Sequence, residues 1–308
     1  MNFFQDKKIL VTGGKGFVGS HLVDALVAKG VRKEKIIIPD RRKDDLRVLK
    51  NCLKLSQGVD LVFHLAADIG GVAYSQSHPA TQAYNCLMMD LNLIEASRRN
   101  GVEKIVLLSC SPAYPKNSPM PLKEENLFNG PPEESHFGFG WAKRTMAILA
   151  EAYHQEFGMD INVIIANNTY GPRDNFDPGT SHVIPALIRK CFEKKKLVVW
   201  GDGSPRRDFI YVGDLVEGIV LVAERLDTPQ PVNLASGIEI TIKDLVEKIV
   251  RLTGFKGELT YGTSRPKGQS RRVVDITKAR KLGFRPRYSL ERGLRKTINW
   301  YRTTILTK

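Results

Sequence analysis

Short apolar runs alternate with longer amphipathic stretches through the first two-thirds of the chain. Residues 8–11, 36–38, 61–64, 105–108 and 161–166 are rich enough in β-branched and apolar side chains to be strands buried on both faces. Between the first two runs, Val18, Leu22 and Leu26 recur at helical spacing and Gly30 supplies a stop, so the opening unit reads strand–helix–strand. Residues 83–100 and 141–157 read as two long helices. Their apolar residues fall on more than one face, which requires a second packing partner. A homodimer through these two helices meets that need, and so does deep burial within one chain. Strands alternating with crossover helices give a parallel sheet, so the expected class is α/β.

After Asn168 the pattern breaks into a polar loop, 170–181, crowded with Gly, Pro, Asp and Asn, the composition of a binding loop. Further on, Thr241 and Asp244 form the start of a helix that carries Leu245, Ile249 and Leu252 on one face and stops at Gly254. Ser289 caps a C-terminal helix with Leu290, Leu294, Ile298 and Tyr301.

Composition narrows the function without naming it. The chain has 308 residues, 42% of them hydrophobic and 26% charged, enough for a real core and large enough for two lobes. Its net charge of +14 raises nucleic acid, an acidic membrane surface or small anions as partners. The basic clusters 41–43, 194–196 and 271–272 carry neither interleaved aromatics nor a nucleic-acid motif, so most of this charge reads as solvated surface and no nucleic-acid partner is expected. Cys52, Cys86, Cys110 and Cys191 form no paired motif, which argues against a disulfide framework and a zinc site, and no metal is expected. With no long apolar run and no signal-like start, membrane association is not expected and the cytoplasm is the expected compartment.

The first strand runs into Thr12-Gly13-Gly14-Lys15-Gly16-Phe17-Val18-Gly19 and then a helix. Glycines at 13, 16 and 19 allow a tight turn, backbone approach to a pyrophosphate, and close packing of helix on strand. The helix start, with Phe17 and Val18, offers amides to phosphate. Asp40 follows at the end of the second strand, where an acid accepts hydrogen bonds from the adenine ribose. That favours NAD, while Arg41 and Arg42 next to it keep NADP open. The fold expected is therefore a Rossmann-type doubly wound parallel sheet with a smaller C-terminal α/β lobe. Residues 1–168, with a returning segment about 208–236, would bind the dinucleotide; 169–207 and 237–308 would bind the substrate.

Together with His64-Leu65-Ala66-Ala67, the glycine spacing resembles the extended short-chain dehydrogenase/reductase family, the NAD-dependent epimerase/dehydratases. Gly70-Gly71-Val72, Tyr114-Pro115-Lys116, the stretch from Tyr170 to Leu187 and Val199-Trp200-Gly201 resemble its GDP-L-fucose synthase subfamily, a GDP-4-keto-6-deoxymannose 3,5-epimerase/4-reductase. The resemblance implies a nucleotide diphosphate sugar, GDP-linked, as partner. It places Ala66 and Ala67 at the adenosine, and Lys143 at the nicotinamide ribose as the lysine of a Tyr-x-x-x-Lys motif. It also implies that His182 is an acid for epimerisation, that Asn168 lies in the sugar cleft and that Arg207 clamps the diphosphate, with Arg271 in the same role from the second lobe. Arg189 and Trp200 go with this substrate side. Arginine forks suit two phosphates better than lysines do, which supports the assignment independently. For Arg207 the competing reading is an ion pair with Asp208 or Asp214.

Two positions depart from the family. Phe139 stands where the catalytic tyrosine belongs, which keeps the ring and removes the titratable group. Counting back from Tyr114 puts Cys110 at the family's serine, between Ser109 and Ser111, and Pro112 at its epimerising cysteine. One of Ser109, Cys110 and Ser111 is expected to hydrogen-bond the sugar oxygen, with a slight preference for Cys110, although a buried cysteine is more often only a small hydrophobe. Three accounts of Phe139 compete: a deliberate Tyr→Phe exchange that traps a bound sugar nucleotide, an altered natural enzyme that uses Tyr114, His136 or His182 instead, and a non-catalytic relative. The intact remainder of the site favours the first. The leading function is thus a nucleotide-sugar oxidoreductase/epimerase acting at C4; a UDP-sugar 4-epimerase or dehydratase-like enzyme and a dinucleotide-sensing scaffold are the alternatives.

Overall fold

Alternate residues of the buried runs point to opposite faces of one sheet, and each set meets its own helices. Ile9, Val11, Leu61, Phe63, Val106 and Ile164 pack with Leu22 and Leu26 of the helix Phe17–Ala28 and with Leu215, Ile219 and Val222 of Val212–Arg225. Leu10, Val62, Ile105, Leu107, Ile161 and Val163 pack with Leu93 and Ile94 of Pro79–Arg99 and with Met146 and Ala150 of Phe137–Phe157. Both faces are therefore covered, as the uninterrupted apolar runs require.

In the computed structural model, which describes residues 3–262 and 270–307, this sheet has six parallel strands. Their spatial order is Ile36–Ile37, Ile9–Thr12, Leu61–His64, Lys104–Cys110, Asp160–Ala166 and Val232–Leu234. The chain leaves Ile9–Thr12 in one direction across the sheet and returns on its other side at Leu61–His64, with Thr12 paired to His64. The crevice at the carboxyl ends of these strands is where a doubly wound sheet binds ligand.

The second lobe is organised around the strand Arg206–Tyr211. It pairs antiparallel with Glu239–Thr241, parallel with Arg271–Arg272 at its start and parallel with Asn168–Tyr170 at its end. Lys196–Trp200 and Glu258–Gly262 form a separate parallel pair. The two caps expected from sequence are present: Thr241 Oγ1 accepts the Asp244 amide at 3.0 Å, and Ser289 Oγ that of Arg292 at 3.3 Å.

Both long helices begin four residues before the sequence pattern places them, at Pro79 and Phe137. Pro79 suits a first turn, where its missing N–H costs nothing. Gly138 and Gly140 disguise the second start, because glycine is a poor helix former. They serve a crossing: a Cβ on Gly138 would stand 2.0 Å from the Pro79 carbonyl oxygen, and one on Gly140 2.7 Å from that of Pro112. Phe139, between them, is thereby held against both neighbours. The short second-lobe strands were not read from sequence, having too few residues to show a period. A Gly138→Ala variant is expected to lose about 1–3 kcal/mol of stability by overpacking; an unchanged denaturant midpoint would show that the crossing yields freely.

Candidate active site

Thr12 ends the first strand and Gly13 turns the chain with φ +69°, a region L side chains avoid. A Cβ on Gly19 would sit 2.1 Å from the Gly13 oxygen, so the helix Phe17–Ala28 rests directly on the turn. Gly16 precedes that helix and no side chain caps it. Thr12 Oγ1 accepts the amides of Leu65 and Ala66, each at 3.2 Å, and lies 2.7 Å from His64 Nδ1. His21, edge-on to Phe17, hydrogen-bonds the Pro172 carbonyl at 2.8 Å and ties this helix to the 170–181 loop. Asp40 is exposed and receives the Lys15 ammonium at 2.8 Å and the Arg42 amide at 2.9 Å. Hydrogen bonding from Lys15 is the main cause that holds its carboxyl below the usual range.

Across the crevice, Phe139 is 4% exposed and packs with Cys86, Ala142, Ala67 and Cys110. The Lys143 ammonium, one helical turn on, is 5.9 Å from the centre of the Phe139 ring. Burial pushes the Cys110 thiol up to about 12, with Lys143 pulling the other way, so the thiol is protonated at neutral pH. Ser109 Oγ donates to the Lys143 carbonyl at 2.9 Å and so holds the helix against the strand, while Ser111 is buried in the following turn. Tyr114, one of the candidates to replace the missing phenol, is turned elsewhere: its hydroxyl donates to Asn233 Oδ1 at 2.8 Å, and burial raises it well above the ordinary phenol range. Burial pushes His136 down to about 4, with Arg272 and His182 adding to the effect. His182 stands at the start of the helix Val183–Glu193 without capping it through its side chain; it is accessible to solvent, yet burial of the ring among protein groups lowers its pKa. Both imidazoles are neutral at pH 7.

From the second lobe, strand alternation sorts the arginines. Arg207 lies opposite Arg272, and Arg206 opposite Arg271. The inward pair reaches the cleft: burial and then Arg272 bring Arg207 down to about 10, and Arg272, buried beside Glu133 at 3.7 Å, acts on Cys110. Arg271 instead grips Glu239 with a two-pronged contact of 2.7 and 3.0 Å on the outer face. Arg271, expected at the cleft, therefore faces away from it and Arg272 faces toward it, because neighbours on a strand face opposite ways. Asp208 and Asp214 are satisfied by Ser236 and Gly237 and by the amides of Arg287 and Tyr288, which removes the ion-pair reading of Arg207. Asn168 Nδ2 donates to the Asp208 carbonyl at 3.0 Å. Arg189 pairs with Glu193 at 2.7 Å, and Trp200 is 62% exposed with Lys190 over its ring.

The model of the NAD dependent epimerase/dehydratase family matches residues 9–235, most of the chain. A GDP-L-fucose synthase of Sinorhizobium fredii is 37% identical over 312 residues, covering 99% of this chain and 98% of the relative. The chain belongs to the NAD-dependent epimerase/dehydratase family. Among solved structures, a GDP-6-OMe-4-keto-L-xylo-heptose reductase from C. jejuni superposes with a TM-score of 0.90 at 29% identity, covering 96% and 98% of the two chains. A GDP-L-fucose synthetase from Naegleria fowleri bound to NADP does so at 0.90 and 26%, covering 100% and 96%.

Residues of this epimerase/dehydratase chain fit an NAD(P) dinucleotide: the left-handed Gly13, the uncapped helix start after Gly16 and Lys143 on the opposite wall. Among the described residues no group of three or more His, Cys, Asp or Glu is placed to hold a metal, and no helix is long and apolar enough to cross a membrane. Sequence reasoning passed over Lys15, Asp90, Glu133 and Arg272. Asp90 had left a signal, a lone acid on the helix stripe that also carries Cys86, Leu93 and Ile94.

The 170–181 loop carries its own titration. Asp174 is buried, its Oδ2 has no hydrogen-bond partner among the described residues, and burial lifts its carboxyl to about 7. Because the folded group holds its proton where the unfolded one has lost it, stability falls as pH rises from about 4 to 7, and the raised Asp208, at about 6, adds to the fall. Asp174→Asn is expected to flatten that slope in thermal melts taken across the window; an unchanged slope would place the titration elsewhere.

Proposed function

We propose that this chain is a nucleotide-sugar oxidoreductase/epimerase acting at sugar C4 on a GDP-linked sugar with NAD(P). The observation that carries the reading is the inward pair Arg207 and Arg272, facing the wall of Cys110, Phe139 and Lys143. Two guanidiniums are the recognition chemistry of a diphosphate. Curated relatives and solved neighbours named for GDP-sugar enzymes support the GDP link. Asp40 is engaged by Lys15, so a 2′-phosphate would meet Lys15, Arg41 and Arg42 rather than a lone carboxylate, and NADP is accommodated as well as NAD.

When bound, the reduced nicotinamide supplies a hydride to a carbonyl carbon. The chain's part is to hold the sugar and move a proton. Phe139 has none to give, and the Cys110 thiol, kept protonated by burial, is the donor on the cleft wall that can pass one to the carbonyl oxygen. His182, neutral and accessible, is the group available for exchange at a neighbouring carbon. Pro112 leaves the family's cysteine partner out, which makes C4 reduction the main reaction.

Outside the cleft, Tyr84 and Leu91 of Pro79–Arg99 and Trp141 and Ile148 of Phe137–Phe157 are exposed apolar residues. Self-association through these two helices into a homodimer accounts for them.

Arg207→Ala is expected to weaken a GDP-sugar by about 1.5–3 kcal/mol in calorimetry, the scale of a charged hydrogen-bond pair, with Arg271→Ala near neutral. Equal losses in both variants would remove the assignment of the inward face. Phe139→Tyr is expected to raise the single-turnover rate with a 4-keto GDP-sugar about a hundred-fold or more, because a phenol beside Lys143 adds a positioned acid. Cys110→Ala in the Phe139 chain is expected to lower it. If both ligands bind and neither chain oxidises the reduced nicotinamide, the protein is a dinucleotide sensor.

A further inference from the structure

The Lys143 ammonium is 2% exposed, and a charge so far from water is tolerated only near a counter-charge. Besides the Phe139 ring, among the described residues it approaches Met146 Sδ at 3.7 Å and Asp90 Oδ1 at 3.9 Å. The thiols nearby do not serve: burial raises both Cys86 and Cys110 and keeps them neutral. Asp90, itself 1% exposed, projects from the neighbouring helix Pro79–Arg99.

The far side of Asp90 is decided by counting lone pairs. A hydroxyl has two of them and one proton. Thr12 Oγ1 accepts the Ala66 amide and shares that of Leu65 with the Thr12 carbonyl, which directs its proton to His64 Nδ1. An accepting Nδ1 leaves the neutral imidazole with its proton on Nε2, which donates to Asp90 Oδ1 at 2.8 Å. Asp90 is then a carboxylate whose Oδ1 both accepts from His64 and faces the Lys143 ammonium at 3.9 Å. Its Oδ2 has no hydrogen-bond partner among the described residues.

We propose that Asp90 is a positioning residue: its carboxylate, oriented by His64 and Thr12, fixes the Lys143 ammonium beside Phe139 and Cys110 and ties it to the turn that holds the dinucleotide phosphates. The electrostatic arrangement stands on geometry alone; its catalytic consequence rests on the reading of the cleft as a hydride-transfer site. Thr12 immediately precedes Gly13, so the same chain of contacts spans the crevice from the phosphate turn to the catalytic wall.

The test has two parts. In the protein without ligands, ¹⁵N NMR is expected to show His64 protonated on Nε2. Asp90→Asn is expected to lower Tm by about 5–10 °C, since it leaves a buried cation unpaired, and the double variant Asp90→Asn/Lys143→Met to melt above the Asp90→Asn single. A proton on His64 Nδ1, or losses that simply add, would overturn the proposal whatever the activity. With NADPH and a 4-keto GDP-sugar, Asp90→Asn is expected to lower kcat ten-fold or more while KM for the sugar nucleotide changes little. Turnover in the parent chain that Asp90→Asn leaves intact would also overturn it. A parent chain that binds both ligands and transfers no hydride would instead refute the proposed function, leaving the NMR and melting results to judge Asp90.

Discussion

The Thr12 hydroxyl sits where the chain reverses its direction across the sheet, and the geometry of the crevice depends on it. Two amides from the third strand's end approach its lone pairs and its proton meets His64, so two neighbouring strand ends are locked at one separation. Gly13 can turn immediately afterwards because the strand before it is immobilised and no Cβ stands in the way of Ala66. A buried hydroxyl with all its hydrogen-bonding capacity used specifies one arrangement, since any slip leaves a buried polar group unpaired.

The opposite wall is built on a different principle, close approach of backbones. Gly138 and Gly140 let a helix start press against Pro79 and Pro112, which delivers Phe139 to Cys110 and places Lys143 one turn deeper. Replacing a phenol by a phenyl ring at such a position changes the chemistry without changing the packing. The polar capacity that remains belongs to a protonated thiol, a buried ammonium and two neutral imidazoles. The second lobe closes this site with positive charge, and it does so through strand alternation: one strand pairing sends Arg207 and Arg272 inward and Arg206 and Arg271 outward. Glu133 offsets part of the charge that these two guanidiniums bring together.

Much of this was legible in the residues alone. Buried strand runs, the glycine spacing from Gly13 to Gly19, the two capping residues Thr241 and Ser289 and the absence of a phenol at 139 follow from local chemistry, because period, backbone freedom and capping act over a few residues. The α/β class and the place of the glycine turn needed nothing more. What only the tertiary structure decided are the pairings between distant segments: Lys15 with Asp40, Asp90 with His64 and Lys143, Tyr114 with Asn233, and which of two adjacent arginines faces the cleft. Strand pairing sets the facing of Arg271 and Arg272, and Arg271–Arg272 is a two-residue strand with no period of its own. Charge neutralisation in a buried space is likewise a property of whatever segments the fold brings together, which is why a single aspartate inside an apolar helix stripe acquires its meaning only when the lysine of another helix lies across from it.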